Sequence, residues 1–198
     1  KKYGVEIKIL NMGGGYGVRY TEDDPYMDIA ANIEKLSNHI RNTAKELGIN
    51  MPKILMEPGR SIVADAGITL YRVGSVKKIP NAKNYVSVDG GMSDNPRYAL
   101  YRSKYTILCA NRMNEVSAMR CSVVGKCCES GDLLKEGANL VDPQRGDVLA
   151  VLTTGAYNYS MASNYNRIPR PPVVMLNGGE SYVAVKRETV EDIVRLDV

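Results

Sequence analysis

The sequence predicts a piece of α/β structure followed by an all-β barrel or sandwich, on three observations. The first 65 residues read as strand, glycine turn, long amphipathic helix and strand. From Ala66 the texture changes to short β-rich runs separated by turn residues. Asn177-Gly178-Gly179 then joins the last two of those runs as a hairpin. At 198 residues the chain can bury one large core or two small ones.

In order along the chain, Val5–Leu10 alternates and is β-branched enough for a strand, and Gly13, Gly14, Gly15 and Gly17 turn it sharply. Asp24 serves as N-cap with Pro25 at the first helical position. Ile29, Ile33, Leu36, Ile40, Ala44 and Leu47 then recur at helical spacing up to a terminating Gly48. Lys53–Met56 is a second strand, so this stretch forms one βαβ unit with parallel strands. The boundary falls near Asp65–Gly67, giving units 1–65 and 66–198. Strands are expected at Ile68–Val76, Tyr85–Asp89, Arg120–Val124, Asp147–Thr153, Val173–Leu176 and Tyr182–Val185, with a closing helix over Thr189–Val194.

With 26 Lys and Arg against 22 Asp and Glu, a net charge of +4, 44% apolar and 24% charged residues, the composition is that of an ordinary globular protein. A charged residue breaks every apolar stretch before the roughly 18 residues a membrane span needs, which excludes a transmembrane protein. The basic residues are scattered, so charge gives no reason to expect nucleic acid. Cys109, Cys121, Cys127 and Cys128 include a vicinal pair, a poor disulfide framework, and read as reduced thiols of a cytoplasmic protein. Their spacing does not suit a metal site, and the one histidine, His39, reads as a solvated helix residue. The first ten residues lack the apolar core of a signal peptide and run directly into a strand-like pattern, so the chain reads as beginning in mid-fold. With no Phe or Trp, thirteen Tyr carry all the aromatic chemistry.

Five stretches could carry chemistry. Asn11–Gly17 can cradle an anion on backbone N–H groups, though it reads equally as a plain glycine turn. Its helix starts too late for a dinucleotide fingerprint. Glu57-Pro58-Gly59-Arg60 can offer opposite charges to two groups of one ligand, or form a surface ion pair on a turn. Asp89–Arg97 leads by turn residues into Arg97 and Tyr101. In Gly125–Asp132 a thiol beside a carboxylate is pushed towards its protonated form, which suits a proton donor better than a standing nucleophile, and Cys127 reads as a small buried residue. Gly155–Asn166, rich in Tyr and Asn, presents ligand-facing hydroxyls or is a surface loop.

Taken together and in order, NMGGGYGVRYT, MEPGRSIVADAG, VDGGMSDNPRYALY, VGKCCESGD and GAYNYSMASNYNRIPRP resemble the C-terminal part of the diaminopimelate decarboxylase family, alanine-racemase-like (fold-type III) pyridoxal-phosphate enzymes. The resemblance spans most of the chain. It implies the C-terminal part of a (β/α)8 barrel followed by a β-sandwich or β-barrel domain. It implies decarboxylation of meso-2,6-diaminopimelate to L-lysine and CO2, in lysine biosynthesis, with pyridoxal 5′-phosphate as cofactor. Carried over residue by residue, it places Gly13, Gly14 and Gly15 on the cofactor phosphate. Glu57 stands against the pyridine nitrogen within the Glu57, Pro58, Gly59, Arg60 turn. Arg60 holds phosphate or substrate carboxylate, and Tyr157 lies near both cofactor and substrate. Arg97 and Tyr101 take the distal carboxylate of the substrate and Glu129 its distal ammonium. Cys128 becomes the proton donor, delivered with Glu129 by the partner across a homodimer with shared active sites.

The family's Schiff-base Lys and ring-stacking His have no counterpart in this sequence, and a full (β/α)8 barrel takes about 250 residues. The chain is therefore expected to be a C-terminal fragment, inactive on its own. Two alternatives stand beside this reading: a related basic amino-acid or carboxypolyamine decarboxylase, against which Glu129 after Cys128 argues, and a truncated, non-catalytic dimerisation module.

Overall fold

The computed structural model describes residues 3–198. β1 (Ile9–Asn11) is shorter than the expected Val5–Leu10 and pairs in parallel with β2 (Lys53–Leu55), Ile9 opposite Lys53. The helix α1 (Ile29–Leu47) crosses between them. It begins four residues later than its sequence suggests, because Asp28 is the cap: its side chain accepts the Ala31 N–H at 2.9 Å. Asp24 is already committed. Its Oδ2 accepts the N–H groups of Tyr20 and Thr21 at 2.9 and 2.8 Å, closing a turn ahead of the helix. Gly48 ends α1 in the left-handed conformation, φ 57°, as expected of that glycine. The short helix α2 (Gly59–Val63) follows β2 where only a turn was expected.

A six-stranded sheet follows. Its members are β3 (Thr69–Lys77), β4 (Asn84–Val88), β5 (Ile107–Cys109), β6 (Met119–Val124), β7 (Leu133–Leu140) and β8 (Val148–Val151). The order is β5-β8-β3-β4-β6-β7, with β4 and β6 parallel and all other neighbours antiparallel. Alternate residues of each strand point inward: Tyr71 and Val73, Val86 and Val88, Cys121 and Val123, Leu149 and Val151 share one buried cluster. Each such side chain contributes about 1.5–3 kcal/mol by leaving water. The edge strands β5 and β7 approach one another, and Lys135 on β7 donates to the Tyr105 carbonyl just before β5 at 2.6 Å. The sheet is thus a nearly closed mixed barrel, which resolves the expected choice between sandwich and barrel. The connection from β4 to β5 carries the helix α3 (Arg97–Tyr101).

Beyond β8 lie α4 (Asn158–Met161), the hairpin of β9 (Val173–Asn177) and β10 (Glu180–Val185), and α5 (Val190–Val194). Gly178 and Gly179 turn the hairpin with φ of 59° and 86°, the positive pair that a type I′ turn requires. Several contacts join the βαβ unit to the barrel. The Tyr20 carbonyl accepts both the N–H and the hydroxyl of Thr106, at 3.1 and 2.9 Å, while its ring stands edge-on to Tyr105 with centroids 5.4 Å apart. The Gly155 N–H donates to the Ala64 carbonyl at 3.0 Å. Among the described residues no helix is long and apolar enough to cross a membrane.

Candidate active site

Parallel pairing puts the C-terminal ends of β1 and β2 side by side, so the glycine loop and the Glu-Pro-Gly-Arg turn leave the sheet together. Asn11 links them: its Nδ2 donates to Glu57 Oε1 at 2.6 Å and its Oδ1 accepts the Gly13 N–H at 2.8 Å. The Glu57 N–H donates to the Gly13 carbonyl, also at 2.8 Å. Gly14 has to be glycine, since a Cβ there would stand 2.2 Å from the Glu57 carbonyl oxygen. Among the described residues the N–H groups of Gly14 and Gly15 donate to no protein acceptor. Pro58 precedes α2 and accepts the Ser61 hydroxyl on its carbonyl at 2.9 Å, and Arg60 in the first turn has no hydrogen-bond or ion-pair partner for its guanidinium among the described residues.

Tyr157 reaches this face because Gly155 packs directly on α2, where any Cβ would collide with the Val63 carbonyl at 1.8 Å. A Cβ at Gly59 would lie 3.5 Å from the Tyr157 hydroxyl, and the Arg60 guanidinium carbon is 6.0 Å from the Tyr157 ring centre. Arg97 approaches the same ring at 5.8 Å and the Tyr101 ring at 5.5 Å. Arg97 is only 6% exposed and, among the described residues, forms no ion pair. Its Nε donates to the Tyr105 hydroxyl at 2.9 Å and its Nη2 to Ser103 Oγ at 3.5 Å. The Tyr105 hydroxyl in turn donates to Asn158 Oδ1 at 3.3 Å, and burial raises the pKa of that phenol despite the Arg97 charge beside it. A buried guanidinium without a counter-ion is costly in isolation and invites an anion.

The Cys127-Cys128-Glu129 loop joins β6 to β7. Asp132, buried at its end, accepts the N–H groups of Cys127 and Met92 at 2.7 and 2.6 Å, tying this loop to the one that leads into α3. Cys127 is buried as expected, and burial followed by the Asp132 charge pushes its thiol up. Cys128 is exposed, with its N–H on Asn166 Oδ1 at 2.6 Å. Glu129 accepts from the Tyr165 hydroxyl at 3.3 Å. No hydrogen bond, ion pair or ring contact among the described residues joins Cys128 or Glu129 to Glu57, Arg60, Arg97, Tyr101 or Tyr157.

The chain thus gathers the glycine loop, the Glu57–Arg60 turn, Tyr157, Arg97 and Tyr101, while Cys128 and Glu129 bond instead to Asn166 and Tyr165. Sequence reasoning assigned no role to Asn11, Tyr105, Asp132 or Asn158. Asn11 carries a local signal, an amide directly before a glycine run. Tyr105 and Asn158 lie 53 residues apart, and only the fold brings them together.

A βαβ unit with ligand-seeking loops at its strand ends, leaning on a nearly closed mixed barrel, defines the class: the C-terminal portion of a fold-type III pyridoxal-phosphate enzyme. The family described as "Pyridoxal-dependent decarboxylase, C-terminal sheet domain" matches residues 20–155, and the chain belongs to it. It is 53% identical over 196 residues to the diaminopimelate decarboxylase of Bacillus subtilis, covering 99% of this chain and 45% of that protein. To the diaminopimelate decarboxylase of Staphylococcus aureus it is 46% identical over 195 residues, covering 98% and 46%. The solved diaminopimelate decarboxylase of M. jannaschii superposes with a TM-score of 0.90 at 33% identity, over all of this chain and 44% of that one. That of Helicobacter pylori, complexed with L-lysine, gives 0.86 at 35% identity, over 99% and 46%. The chain spans a little under half the length of these relatives.

Proposed function

We propose that this chain, together with the barrel strands its relatives carry, decarboxylates meso-2,6-diaminopimelate to L-lysine and CO2 with pyridoxal 5′-phosphate, as a step of lysine biosynthesis. The observation that carries the reading is a pair of guanidiniums, Arg60 and Arg97, both against the Tyr157 ring, neither paired with a carboxylate among the described residues. Such a face suits a ligand set with several anionic groups, here a cofactor phosphate and the two carboxylates of the substrate. Identity of 53% to a diaminopimelate decarboxylase over nearly the whole chain supports the choice within the family.

The residues present fit the cofactor, since the glycine loop leaves backbone donors free and has no side chain to fill the cradle. Gly13, Gly14 and Gly15 would form the phosphate cradle, Gly14 and Gly15 with their free N–H groups, and Pro58, Gly59 and Arg60 would complete it. When bound, pyridoxal phosphate supplies an electron sink for the pair left behind by CO2. Glu57, held by the Asn11 amide at 2.6 Å, would keep the pyridine nitrogen of the bound cofactor protonated. Arg97 and Tyr101 grip the distal carboxylate, and Tyr157 fills the space between the two ends. Glu129 takes the distal ammonium, and Cys128 returns a proton to the carbon that lost CO2. Cys128 and Glu129 serve the partner's site in a homodimer, a reading supported by the absence, among the described residues, of any hydrogen bond, ion pair or ring contact between them and the other groups of their own chain. Residues 1–65 form the barrel part and 66–198 the β-domain. Four free cysteines suit a cytoplasmic setting.

The test is CO2 release by the whole holoenzyme from meso-diaminopimelate, ornithine and arginine, with lysine as the second product from diaminopimelate alone. Diaminopimelate is expected to be preferred, and preference for ornithine would overturn the assignment.

A further inference from the structure

Arg97 is buried, yet the groups that hold it are neutral. Tyr105 accepts from its Nε at 2.9 Å and hands its own proton to Asn158 Oδ1 at 3.3 Å. Because the phenol proton is engaged by Asn158, a phenol lone pair is left to face the guanidinium. The amide Nδ2 of Asn158 is itself a buried donor with no acceptor. The free hydrogen-bonding capacity of this network therefore lies in donors, and its one formal charge is positive. Proteins ordinarily offset a buried cation with a carboxylate, and an Asp in place of Asn158 would do so with almost no change in shape.

We infer that Asn158, acting through Tyr105, is the positioning residue that keeps Arg97 oriented but electrically uncompensated, so that the pocket selects ligands whose distal end bears a carboxylate. The inference rests on the proposed role of Arg97 at the distal carboxylate. Neither residue has to touch the substrate. Asn158 fixes the polarity of the Tyr105 hydrogen bond, Tyr105 fixes the direction of the guanidinium, and their neutrality leaves the charge to the ligand.

Two ligands of the whole holoenzyme separate this role from a merely structural one: L-lysine, which keeps a carboxylate at its distal end, and cadaverine, the same diamine without it. Titration calorimetry on the Asn158→Asp variant should show lysine binding weakened about tenfold, while cadaverine binding is unchanged or tighter, because the new carboxylate competes for Arg97. Equal changes for both ligands, or none for either, would overturn the inference. If Asn158→Asp does not fold, Tyr105→Phe decides, since it keeps the ring in the barrel core. It should raise KM for diaminopimelate about tenfold with kcat within about twofold, and an unchanged KM would overturn the inference. The proposed function fails separately, by absence of diaminopimelate turnover in the unmodified holoenzyme. The lysine and cadaverine titrations still decide the role of Asn158 in that case, and an unmodified holoenzyme that binds no lysine overturns both.

Discussion

A single methyl group tests the cofactor cradle. At Gly14 a Cβ would sit 2.2 Å from the Glu57 carbonyl oxygen, well inside van der Waals contact, so Gly14→Ala must separate the glycine loop from the Glu57 turn. Backbone is the clashing partner, so no rotamer change relieves it. The bond from Glu57 N–H to the Gly13 carbonyl, 2.8 Å long, is the one most directly stretched, and Asn11 loses its hold on both loops. The expected result is at least a tenfold loss of pyridoxal phosphate affinity, the equivalent of about 1.4 kcal/mol. Thermal stability should change little, because the barrel core lies elsewhere. Fluorescence titration of the apoenzyme with the cofactor measures it, and undiminished affinity would mean the loop is only a turn. Arg97 shows the complementary logic. Its charge is buried among Tyr105, Tyr101 and Tyr157, so its function follows from what is missing around it as much as from what it touches.

Elements carry their own signatures, and the two ends of α1 show how these are read and misread. Asp28→Ala removes the side chain that accepts the Ala31 N–H and should cost about 1 kcal/mol, lowering Tm by about 2–4 °C. Asp24→Ala should leave the helix intact and loosen the turn of Tyr20 and Thr21 instead, and helical content by circular dichroism separates the two. In the sequence Asp24-Pro25 is the better-looking helix start, and it loses because its carboxylate is already satisfied by a local turn. Gly48 was legible because its left-handed φ is a backbone requirement written in one residue. Strands with β-branched alternation, such as β3 and β6, were legible too. β5 has three residues, and β7 carries Lys135, Glu136 and Gly137 in its middle, so neither shows the period of a strand. The same division holds at the site. Glu57, Arg60, Arg97 and Tyr157 lie in recognisable strings, whereas the Tyr105–Asn158 contact exists only after folding. Past the barrel, Glu188 clamps residues 164 to 170. It accepts from Arg170 Nε at 2.7 Å, Arg170 N–H at 2.8 Å and Asn164 Nδ2 at 2.6 Å, and the Arg170 side chain above all holds its pKa down to about 2. A depressed carboxylate stabilises the fold at pH above its unfolded value near 4.3, and that stability is lost as pH falls towards 2. Arg170 is 42% exposed, so solvent screening limits the pair to about 1 kcal/mol. Melting curves from pH 6 to 2 should converge for the parent and Glu188→Gln at the acid end, and parallel curves would remove the clamp from the account.

For the whole molecule the decisive observation is that no hydrogen bond or ion pair among the described residues joins Cys128 to Glu57. Glu57 and Cys128 are both proposed to serve the reaction, yet Glu57 sits on the loops at the ends of β1 and β2 while Cys128 is exposed on the β6–β7 loop, anchored through Asn166. Asp132 ties that loop to the approach to α3, so movement of the loop within one chain would break the 2.6 Å hydrogen bond from the Met92 N–H to Asp132. A two-fold dimer avoids that cost, because each subunit then presents Cys128 and Glu129 to the other's Glu57, Arg60 and Tyr157, and does so twice by symmetry. Subunit mixing tests this directly. Glu57→Gln and Cys128→Ala should each leave the whole enzyme nearly inactive. After exchange of equal amounts, about half of the dimers are mixed. Each mixed dimer has one site that carries both substitutions and one that carries neither, so activity should return to about a quarter of the unmodified enzyme's. If both groups acted within one chain, every site in the mixture would lack one of them and activity would stay at the level of the separate variants.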